Sequence, residues 1–525
     1  MTPKRPLGPT PSALRATAPE APQYLPHRQI LIVMVGLMSG LFLAALDQSI
    51  VAVALPTIVS DLGGLDHLSW VVSAYLLAST ASTPLWGKIS DLYGRRPLFQ
   101  IAILVFLAGS LASGLAGSMA FLIAARAVQG LGAGGLMALT MATIGDVVPP
   151  RERGKYMGLF GAVFGVSSVA GPLLGGWLTD GPGWRWIFFL NIPVGIASLA
   201  ITSYALRVQR VRREHRIDYL GATLVVASAS TILLYTSWAG VQYGWGDPAA
   251  LFLLGGGLLL AVAFVAVERR ASEPIIPMHL FGNLVFRYSV VYTAVTGMAM
   301  FGAIIFLPMY LQVVRGMTPT ESGLALIPMV LGILGTSIGS GLLITRTGRY
   351  RAFPIVGAGV LLLGLGLMTQ LAVDTPYWQL AIAMFTVGAG LGLGMQTVVT
   401  AVQNSVAVRD MGSATSAVTF FRSMGGALGT AVFGAVLNTR LSHYLGDSLA
   451  GSPGGADLTD INAIASLPPQ TQAPVLQAFT NAMDDVFLAA IPFVAVAAVA
   501  SLFIPELPLK TRRDDAELPE ADAVE

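Results

Sequence analysis

Residues 46–56 read LDQSIVAVALP and place one carboxylate, Asp47, within an apolar run that extends over residues 30–54. A helix needs about 20 residues to cross the hydrocarbon core of a bilayer, so this run is long enough. A charge inside such a helix costs at least about 2.5 kcal/mol, and it therefore needs a partner or a proton. Asp47 is the leading candidate for a functional residue.

The composition of the whole chain points the same way. Of its 525 residues, 54% are hydrophobic and only 11% are charged, which is typical of a helical protein that crosses a membrane several times. Cysteine is absent, which excludes disulfides and thiolate metal sites. The five histidines all fall in predicted tails or loops, which argues against a membrane-embedded metalloenzyme. We expect no catalytic residues, no metal and no cofactor.

Apolar runs bounded by charged or turn residues predict an all-α protein with fourteen membrane-spanning helices. The predicted spans are residues 30–54, 68–88, 98–117, 120–144, 156–178, 186–206, 218–238, 249–267, 285–310, 321–343, 353–373, 378–401, 412–437 and 484–505. With the N-terminus inside, most of the 30 Lys and Arg residues lie on the cytoplasmic side, and only Arg185, Arg315 and Arg440 face outward. This asymmetry predicts a multi-pass protein of the inner (cytoplasmic) membrane with both termini in the cytoplasm.

Two motifs repeat at one offset. GKISDLYGRR at residues 87–96 aligns with GLLITRTGRY at residues 341–350, and the same offset aligns GPLLGG at residues 171–176 with GGALGT at residues 425–430. One register for two separated motifs predicts two pseudo-symmetric six-helix bundles around a midplane cavity, with two helices inserted between them. The predicted divisions are a disordered cytoplasmic tail (1–29), an N-terminal six-helix bundle (30–206), linkers with the two extra helices (207–284), a C-terminal six-helix bundle (285–505) with a long outward loop (438–483), and a cytoplasmic tail (506–525).

The turn between spans 2 and 3 combines glycines with charges. Glycines allow a sharp turn and a close approach of helices, and the charges can bridge to each other or to a neighbouring helix end. We interpret this turn as a charge lock that closes the cytoplasmic side and breaks during the cycle, and the alternative is a basic loop that only sets topology. The predicted gate residues are Gly87, Asp91, Gly94, Arg95, Arg96 and, from the second copy, Arg349. Thr345 stands in the second copy where the first has Asp91, so the second lock should be weaker.

Arg126 is a second charge inside a predicted span, within RAVQGLGAGG at residues 126–135. Because span 4 runs inward and span 1 runs outward, Arg126 and Asp47 come to about the same depth. The two charges can then stabilise each other where either alone would be costly. One interpretation is a site for proton coupling, and the other is a permanent ion pair that only joins two helices.

Span 5 carries a glycine-rich face, GAVFGVSSVAGPLLGG, at residues 161–176. Small residues pack closely against another helix, and a proline inside the helix favours a kink. A hinge between two moving halves is expected there, beside the simpler role of close packing. The predicted hinge residues are Gly161, Gly165, Gly171, Pro172, Gly175 and Gly176.

Arg422 in span 13 has no obvious acidic partner in the sequence. It either pairs with backbone carbonyls or lines the water-filled cavity, and these alternatives stay open at this point. We assign Tyr75, Gln129 and Arg422 to the predicted substrate cavity.

At these residues the chain resembles the major facilitator superfamily, and in particular its fourteen-span drug:proton antiporter branch. LDQSIVAVALP is similar to the span 1 signature of that branch, GKISDLYGRR to its loop motif, RAVQGLGAGG to its span 4 motif and GPLLGG to the antiporter motif of exporters. WRWIFFLNIP at residues 184–193 and YLQVVRGMTPTESGLALIP at residues 310–328 also resemble stretches of the branch. Ala52 stands where the branch commonly has Asn.

The resemblance implies a monomeric, proton-coupled antiporter that exports amphipathic drugs or related organic compounds by alternating access. Its partners would be the small-molecule substrate, protons and the lipid bilayer, and nucleic acid is not expected. Asp47 would exchange protons, and Arg126 would tune the pKa of Asp47. One alternative is the export of a native metabolite, a self-made antibiotic or a lipid, and a remote one is a non-transporting membrane sensor. The sequence does not distinguish the substrates.

Overall fold

The computed structural model describes residues 27–62, 68–148, 150–205, 218–238, 243–244, 246–271, 274–407, 410–449 and 469–509. Helices account for most of these residues, and two of them are interrupted after their first turns. In chain order they are α1 (His27–Leu62), α2 (Leu68–Tyr93), α3 (Arg95–Gly114), α4 (Met119–Val147), α5 (Pro150–Asp180), α6 (Trp186–Phe189 and Asn191–Ala205), α7 (Tyr219–Trp238), α8 (Pro248–Glu268), α9 (Leu284–Val313), α10 (Pro319–Ala325 and Ile327–Thr347), α11 (Ala352–Met368), α12 (Tyr377–Ser405), α13 (Met411–Leu449) and α14 (Pro469–Leu502).

These fourteen helices, with no strand in the described ranges, confirm the predicted all-α membrane fold. Eleven of them are long and apolar enough to cross a membrane by length and composition. The remaining three are α11, which has 17 residues, and the more polar α2 and α5. Both α2 and α5 pack against helices of the other half of the chain, so protein and not lipid covers part of their surface.

The predicted outward loop at residues 438–483 is wrong at both ends. Helix α13 continues to Leu449 and α14 already begins at Pro469, which leaves only residues 450–468 outside the described part of the chain. The polar residues there suggested a loop, but a helix continues past the bilayer wherever other side chains pack on it. Here Arg440 of the α13 extension reaches Asp485 of α14 at 3.2 Å, which holds that extension against α14.

The predicted N-terminal tail also needs correction, because α1 begins at His27. Residues 1–26, the rest of that predicted tail, lie outside the described residues. Polar residues such as Arg28 can start a helix in the headgroup region before its apolar part enters the hydrocarbon.

Helix packing repeats between the two ends of the chain. In the first set α2 and α3 pack on α4, and α1 packs on α5; in the second set α10 and α11 pack on α12, and α9 packs on α13. The turn glycines repeat as well, because Gly94 has a φ of 93° and Gly348 has a φ of 71°. Both values lie in the left-handed region that glycine tolerates best, which explains glycine at these two aligned positions.

The two sets meet mainly through two helix pairs, α2 with α13 and α5 with α10. These pairs are equivalent under the sequence repeat. The inserted helices α7 and α8 pack on each other, and α7 also contacts α2 and α13. At one end of this contact, Trp70 of α2 and Trp238 of α7 meet edge to face with their ring centroids 5.5 Å apart. The inserted pair therefore lies beside the α2–α13 junction.

Candidate functional site

Asp47 and Arg126 meet inside the first set of helices. Nη1 of Arg126 on α4 donates a hydrogen bond to Oδ2 of Asp47 on α1 at 2.5 Å. Each side chain is only 1% exposed, so the pair is buried in protein. Nearly equal depth in two antiparallel spans led to the expectation of this contact, and the structure contains it.

Two amide side chains complete the surroundings of the carboxylate. Nε2 of Gln129 and Nδ2 of Asn191 both donate to Oδ1 of Asp47, at 2.8 and 2.9 Å. Arg126 Nη1 also donates to Oε1 of Gln129 at 2.8 Å, and Asn191 Nδ2 donates to the hydroxyl of Ser110 at 3.0 Å. Both carboxylate oxygens are thus satisfied by protein donors, as a buried charge requires.

The guanidinium of Arg126 is held from two further directions. Its Nε donates to the carbonyl oxygen of Val71 at 3.2 Å, and its Cζ lies 4.2 Å from the centroid of the Tyr75 ring. Tyr75 is itself fixed, because its hydroxyl donates to the carbonyl oxygen of Ala44 at 3.1 Å. A cation over an aromatic face is stabilised by the ring quadrupole, so Tyr75 serves as a platform for Arg126.

The sequence analysis did not single out Asn191, which lies on α6 and is fully buried. A signal was available, since Asn191 is the only asparagine within the predicted spans. With it, α1, α4 and α6 each contribute a polar side chain to one buried cluster, which we call the Asp47 cluster (Asp47, Arg126, Gln129 and Asn191). In this conformation the cluster is closed to solvent, so water reaches Asp47 only if the surrounding helices separate.

A second polar cluster lies at the C-terminal end of α2, on the side that the distribution of Lys and Arg predicts to be cytoplasmic and that we call the inner end. Nη2 of Arg95 contacts Oδ1 of Asp91 at 2.6 Å, and Nε of Arg95 contacts Oδ2 of Asp146 at 2.6 Å. Arg95 also donates to the hydroxyl of Ser90. Asp146 lies near the end of α4, so Arg95, at the start of α3, joins α2 to α4 through a carboxylate that was not predicted from the sequence.

Asp91 also contacts the second set of helices. Ser413 Oγ donates to Oδ2 of Asp91 at 3.4 Å, and a Cβ built on Gly412 would collide with the Asp91 carboxylate. Helix α13 begins at Met411, so the carboxylate lies at a helix N-terminus, where a negative charge is favoured. Burial raises the pKa of Asp91 above its usual value, and the guanidinium of Arg95 opposes that rise.

Further contacts close the inner ends of the two sets. A Cβ on Gly87 of α2 would collide with the side chain of Ser416 of α13. Nε2 of Gln403 on α12 donates to the carbonyl oxygen of Met141 on α4 at 3.2 Å. The structure is therefore a conformation in which the two sets of helices touch at the inner end.

The remaining predicted gate residues lie outside this contact. Gly94 supplies the turn between α2 and α3, Arg96 is half-buried, and Arg349 is exposed, with its backbone N–H donating to the hydroxyl of Thr347 at 3.3 Å. In the second copy, Tyr350 makes the contacts instead. Its backbone N–H donates to Glu506 at 2.9 Å and its hydroxyl donates to the carbonyl oxygen of Pro505 at 2.9 Å. The second turn thus binds the chain that follows α14.

The glycine-rich face of α5 is described at three of its predicted hinge positions. Gly171 and Gly175 are buried and Gly176 is half-buried, whereas the surroundings of Gly161, Gly165 and Pro172 fall outside the described residues. A Cβ on Gly171 would collide with Ser49 of α1, whose Oγ donates to the carbonyl oxygen of Ser167 at 2.8 Å. Gly171 therefore brings α5 close to α1 of its own set, and the hinge role stays a prediction.

Arg422 lies apart from the Asp47 cluster. Its side chain is 5% exposed, Nη1 has no hydrogen-bond partner, and no acidic partner is found in the described part of the chain. Its Cζ lies 5.9 Å from the ring centroid of Phe160 on α5. Tyr75 and Gln129, which were assigned to the same cavity, instead belong to the surroundings of Asp47, so the structure does not bring these three residues together.

The chain belongs to the Major Facilitator Superfamily, whose family profile matches residues 37–430. An uncharacterized MFS-type transporter of Mycobacterium tuberculosis (strain ATCC 25618 / H37Rv) is 40% identical over 515 residues, which cover 98% of this chain and 74% of that protein. The multidrug transporter protein MdtP of Bacillus subtilis (strain 168) is 34% identical over 510 residues, covering 92% of this chain and 94% of the relative. These relatives confirm the resemblance to the multidrug branch.

A solved structure supports the fold independently of close sequence similarity. The MFS proton:xylose symporter XylE bound to 6-bromo-6-deoxy-D-glucose aligns with a TM-score of 0.59 at 14% identity. The alignment covers 94% of this chain and 99% of that one. The likeness shows that the described helices adopt the fold of the superfamily, and the chain is a multi-pass membrane transporter of that family.

Proposed function

We propose that this protein is a proton-coupled antiporter that exports amphipathic organic compounds across the cytoplasmic membrane. The observation that carries the proposal is the Asp47 cluster, a carboxylate 1% exposed and held by one cation and two amides within a transporter fold. A carboxylate at membrane depth is costly, and where one is retained it is commonly part of a proton or substrate pathway. The multidrug relative supports the export of drug-like compounds.

The cycle that we propose alternates access between two ends. In the conformation described here, the inner contact of Asp91, Arg95 and α13 holds the two sets of helices together. Opening of the outer end brings water to Asp47, which takes up a proton and weakens its pairing with Arg126. The inner contact then breaks, the proton leaves toward the cytoplasm, and substrate binds for the return step.

The energetics are sufficient for a useful gradient. One proton that moves inward down a membrane potential of 100 mV supplies about 2.3 kcal/mol, before any pH gradient is added. A free-energy difference of about 1.4 kcal/mol corresponds to a tenfold concentration ratio, so one proton per neutral substrate sustains a ratio of several tens. No nucleotide is required by this mechanism. We also propose that both termini face the cytoplasm.

The test is transport by the purified full chain in proteoliposomes. A panel of dyes that includes ethidium, rhodamine 6G and dansylglycine is loaded on the side of the inner face, and a pH gradient of either sign is imposed. We expect at least one dye to move against protons and to stop moving when a protonophore removes the gradient. If the transport of every dye is independent of the sign of the pH gradient and of the protonophore, the proposal is contradicted.

A further inference from the structure

Arg422 is a buried cation whose charge is not neutralised in the described part of the chain. Its side chain is 5% exposed and its Nη1 has no hydrogen-bond partner. The other arginine deep in the fold, Arg126, pairs with Asp47 at 2.5 Å and with Gln129 at 2.8 Å. An isolated charge in the protein interior is costly unless it is paired, so the fold retains at Arg422 a site that an anion would stabilise.

The backbone around Arg422 is held tightly while its head group faces a different helix. A Cβ on Gly297 of α9 would collide with the carbonyl oxygen of Arg422, so glycine lets α9 pack directly on this turn of α13. The guanidinium points instead toward α5, where the ring centroid of Phe160 lies 5.9 Å from Cζ of Arg422 and 5.5 Å from the centroid of the tilted Phe164 ring. The head group is therefore located between the two sets of helices, beside aromatic side chains.

A second unpaired polar atom lies at about the same depth as the Arg422 head group, as the register of α12 and α13 indicates. Near their inner ends, Nε2 of Gln403 donates to Oγ1 of Thr415 at 3.3 Å. Gln396 lies seven residues before Gln403, and Arg422 lies seven residues after Thr415. Because the two helices run in opposite directions, both residues lie about two turns further from that end and on corresponding faces. Oε1 of Gln396 is buried and has no partner, and Nη1 of Arg422 is also unpaired. A ligand that satisfies both atoms has to present an acceptor to Arg422 and a hydrogen-bond donor to Gln396.

The depth of the site excludes a lipid head group as its natural occupant. Arg422 lies eleven residues from the start of α13, and at about 1.5 Å per residue the site is on the order of 17 Å from the inner end of that helix. A ligand that reaches it needs an ionised group for Arg422 and an apolar body for the phenylalanines. We infer that Arg422 binds the carboxylate or sulfonate of an amphipathic organic anion, with a neutral hydrogen-bond donor of that anion at Oε1 of Gln396 and its apolar body beside Phe160.

This inference rests on the proposed function, because it names the chemical class of the compound that the antiporter carries. It also fits the driving force, since an anion that leaves the cell and a proton that enters both move charge in the direction that an inside-negative potential favours. The protein would then prefer acids over their neutral esters.

The experiment measures binding by the full chain in lipid nanodiscs with two probes that differ in one charge, dansylglycine and its methyl ester. Charge-assisted hydrogen bonds contribute enough that we expect the acid to bind the wild type at least about tenfold more tightly than the ester. Arg422→Gln should abolish this preference by weakening the acid alone. Arg422→Lys should keep most of it, because the cation remains. The matched control is Arg287→Gln, which removes an exposed arginine near the start of α9 and should leave both affinities unchanged.

Equal affinity of the wild type for acid and ester overturns the inference, and so does a preference that persists in Arg422→Gln. If Arg422→Gln does not fold, the wild type and Arg422→Lys decide the question, because a lysine variant with no preference and normal ester binding would also contradict a charge-based site. The measurement uses no pH gradient. An acid preference without proton-coupled transport would therefore uphold the anion site and refute the antiporter proposal, and coupled transport without the preference would do the reverse.

Discussion

Replacing Arg126 by Gln would leave the Asp47 carboxylate buried with only Gln129 and Asn191 as hydrogen-bond donors. Both charges are 1% exposed and lie 2.5 Å apart, so solvent screens their interaction very little. Removal of one member of such a pair typically destabilises a protein by about 3 to 5 kcal/mol, because the other charge stays buried and unpaired. We expect a loss of this size for Arg126→Gln, and a comparable one for Asp47→Asn.

The double variant Asp47→Asn/Arg126→Gln removes both charges and leaves amides that can bond to each other. We expect it to lie within about 2 kcal/mol of the wild type, since replacement of a whole buried pair is often nearly neutral. The double-mutant cycle should then give a coupling energy of at least about 4 kcal/mol, because two single losses of at least about 3 kcal/mol each exceed the double loss by that amount. The assay is equilibrium unfolding of purified protein in a fixed detergent, followed by tryptophan fluorescence.

The chain contains a matched surface pair for comparison. Arg185 and Asp61 also form an ion pair, at 2.8 Å, but their side chains are 41% and 46% exposed. Solvent screens such a pair, so the corresponding cycle should show a clearly smaller coupling. Equal coupling in the two cycles, or a double variant at 47 and 126 that loses the sum of both single losses, would refute the buried pairing described here.

Three further predictions concern the lock and the outer end. Asp91→Asn should lower the rate of transport more than the affinity for substrate, because the inner contact acts in switching; a collapse of affinity with an unchanged rate would contradict this. Gly87→Ala should lower the population of the conformation whose inner end is closed, because the new methyl group collides with Ser416. Distances between spin labels across the inner ends measure this change, since the chain has no native cysteine to interfere with labelling. Unchanged distances would be contrary evidence. Hydrogen bonds from Trp184 and Arg185 lower the pKa of Asp61, so the stability that this contact adds is present above about pH 4 and is lost as the pH falls through the lowered pKa. The melting temperatures of wild type and Asp61→Asn should therefore converge only in acid. A difference in melting temperature that persists in acid would argue against the contact.

The fold and the central pair were predictable because the membrane penalises exposed polar groups so strongly. An apolar run has to be a spanning helix, and a charge within it has to find a partner at its own depth. Asp47 and Arg126 satisfy both conditions in the sequence alone. Neutral amides carry no comparable penalty, so Asn191 did not stand out beside the glycine and aromatic residues of α6.

The predicted boundaries are wrong where the membrane no longer penalises polar groups. Outside the hydrocarbon core, composition no longer decides between helix and loop, and packing between helices does. Residues 438–449 and 469–483 are helical, and the helices α13 and α14 to which they belong pack on each other. Asp146 was missed as a partner of Arg95 for a related reason, since a charge at the end of a span looks like any other loop charge.

We propose that Asp47 carries the proton, and substrate-induced proton release from everted vesicles measures this role. Asp47→Asn keeps the size of the side chain and its hydrogen bond to Arg126 but cannot titrate. With a dye that the wild type exports, and with equal amounts of folded protein confirmed in the membrane, we predict that the variant releases no protons upon addition of the dye. Proton release near the wild-type level in Asp47→Asn would contradict the claim.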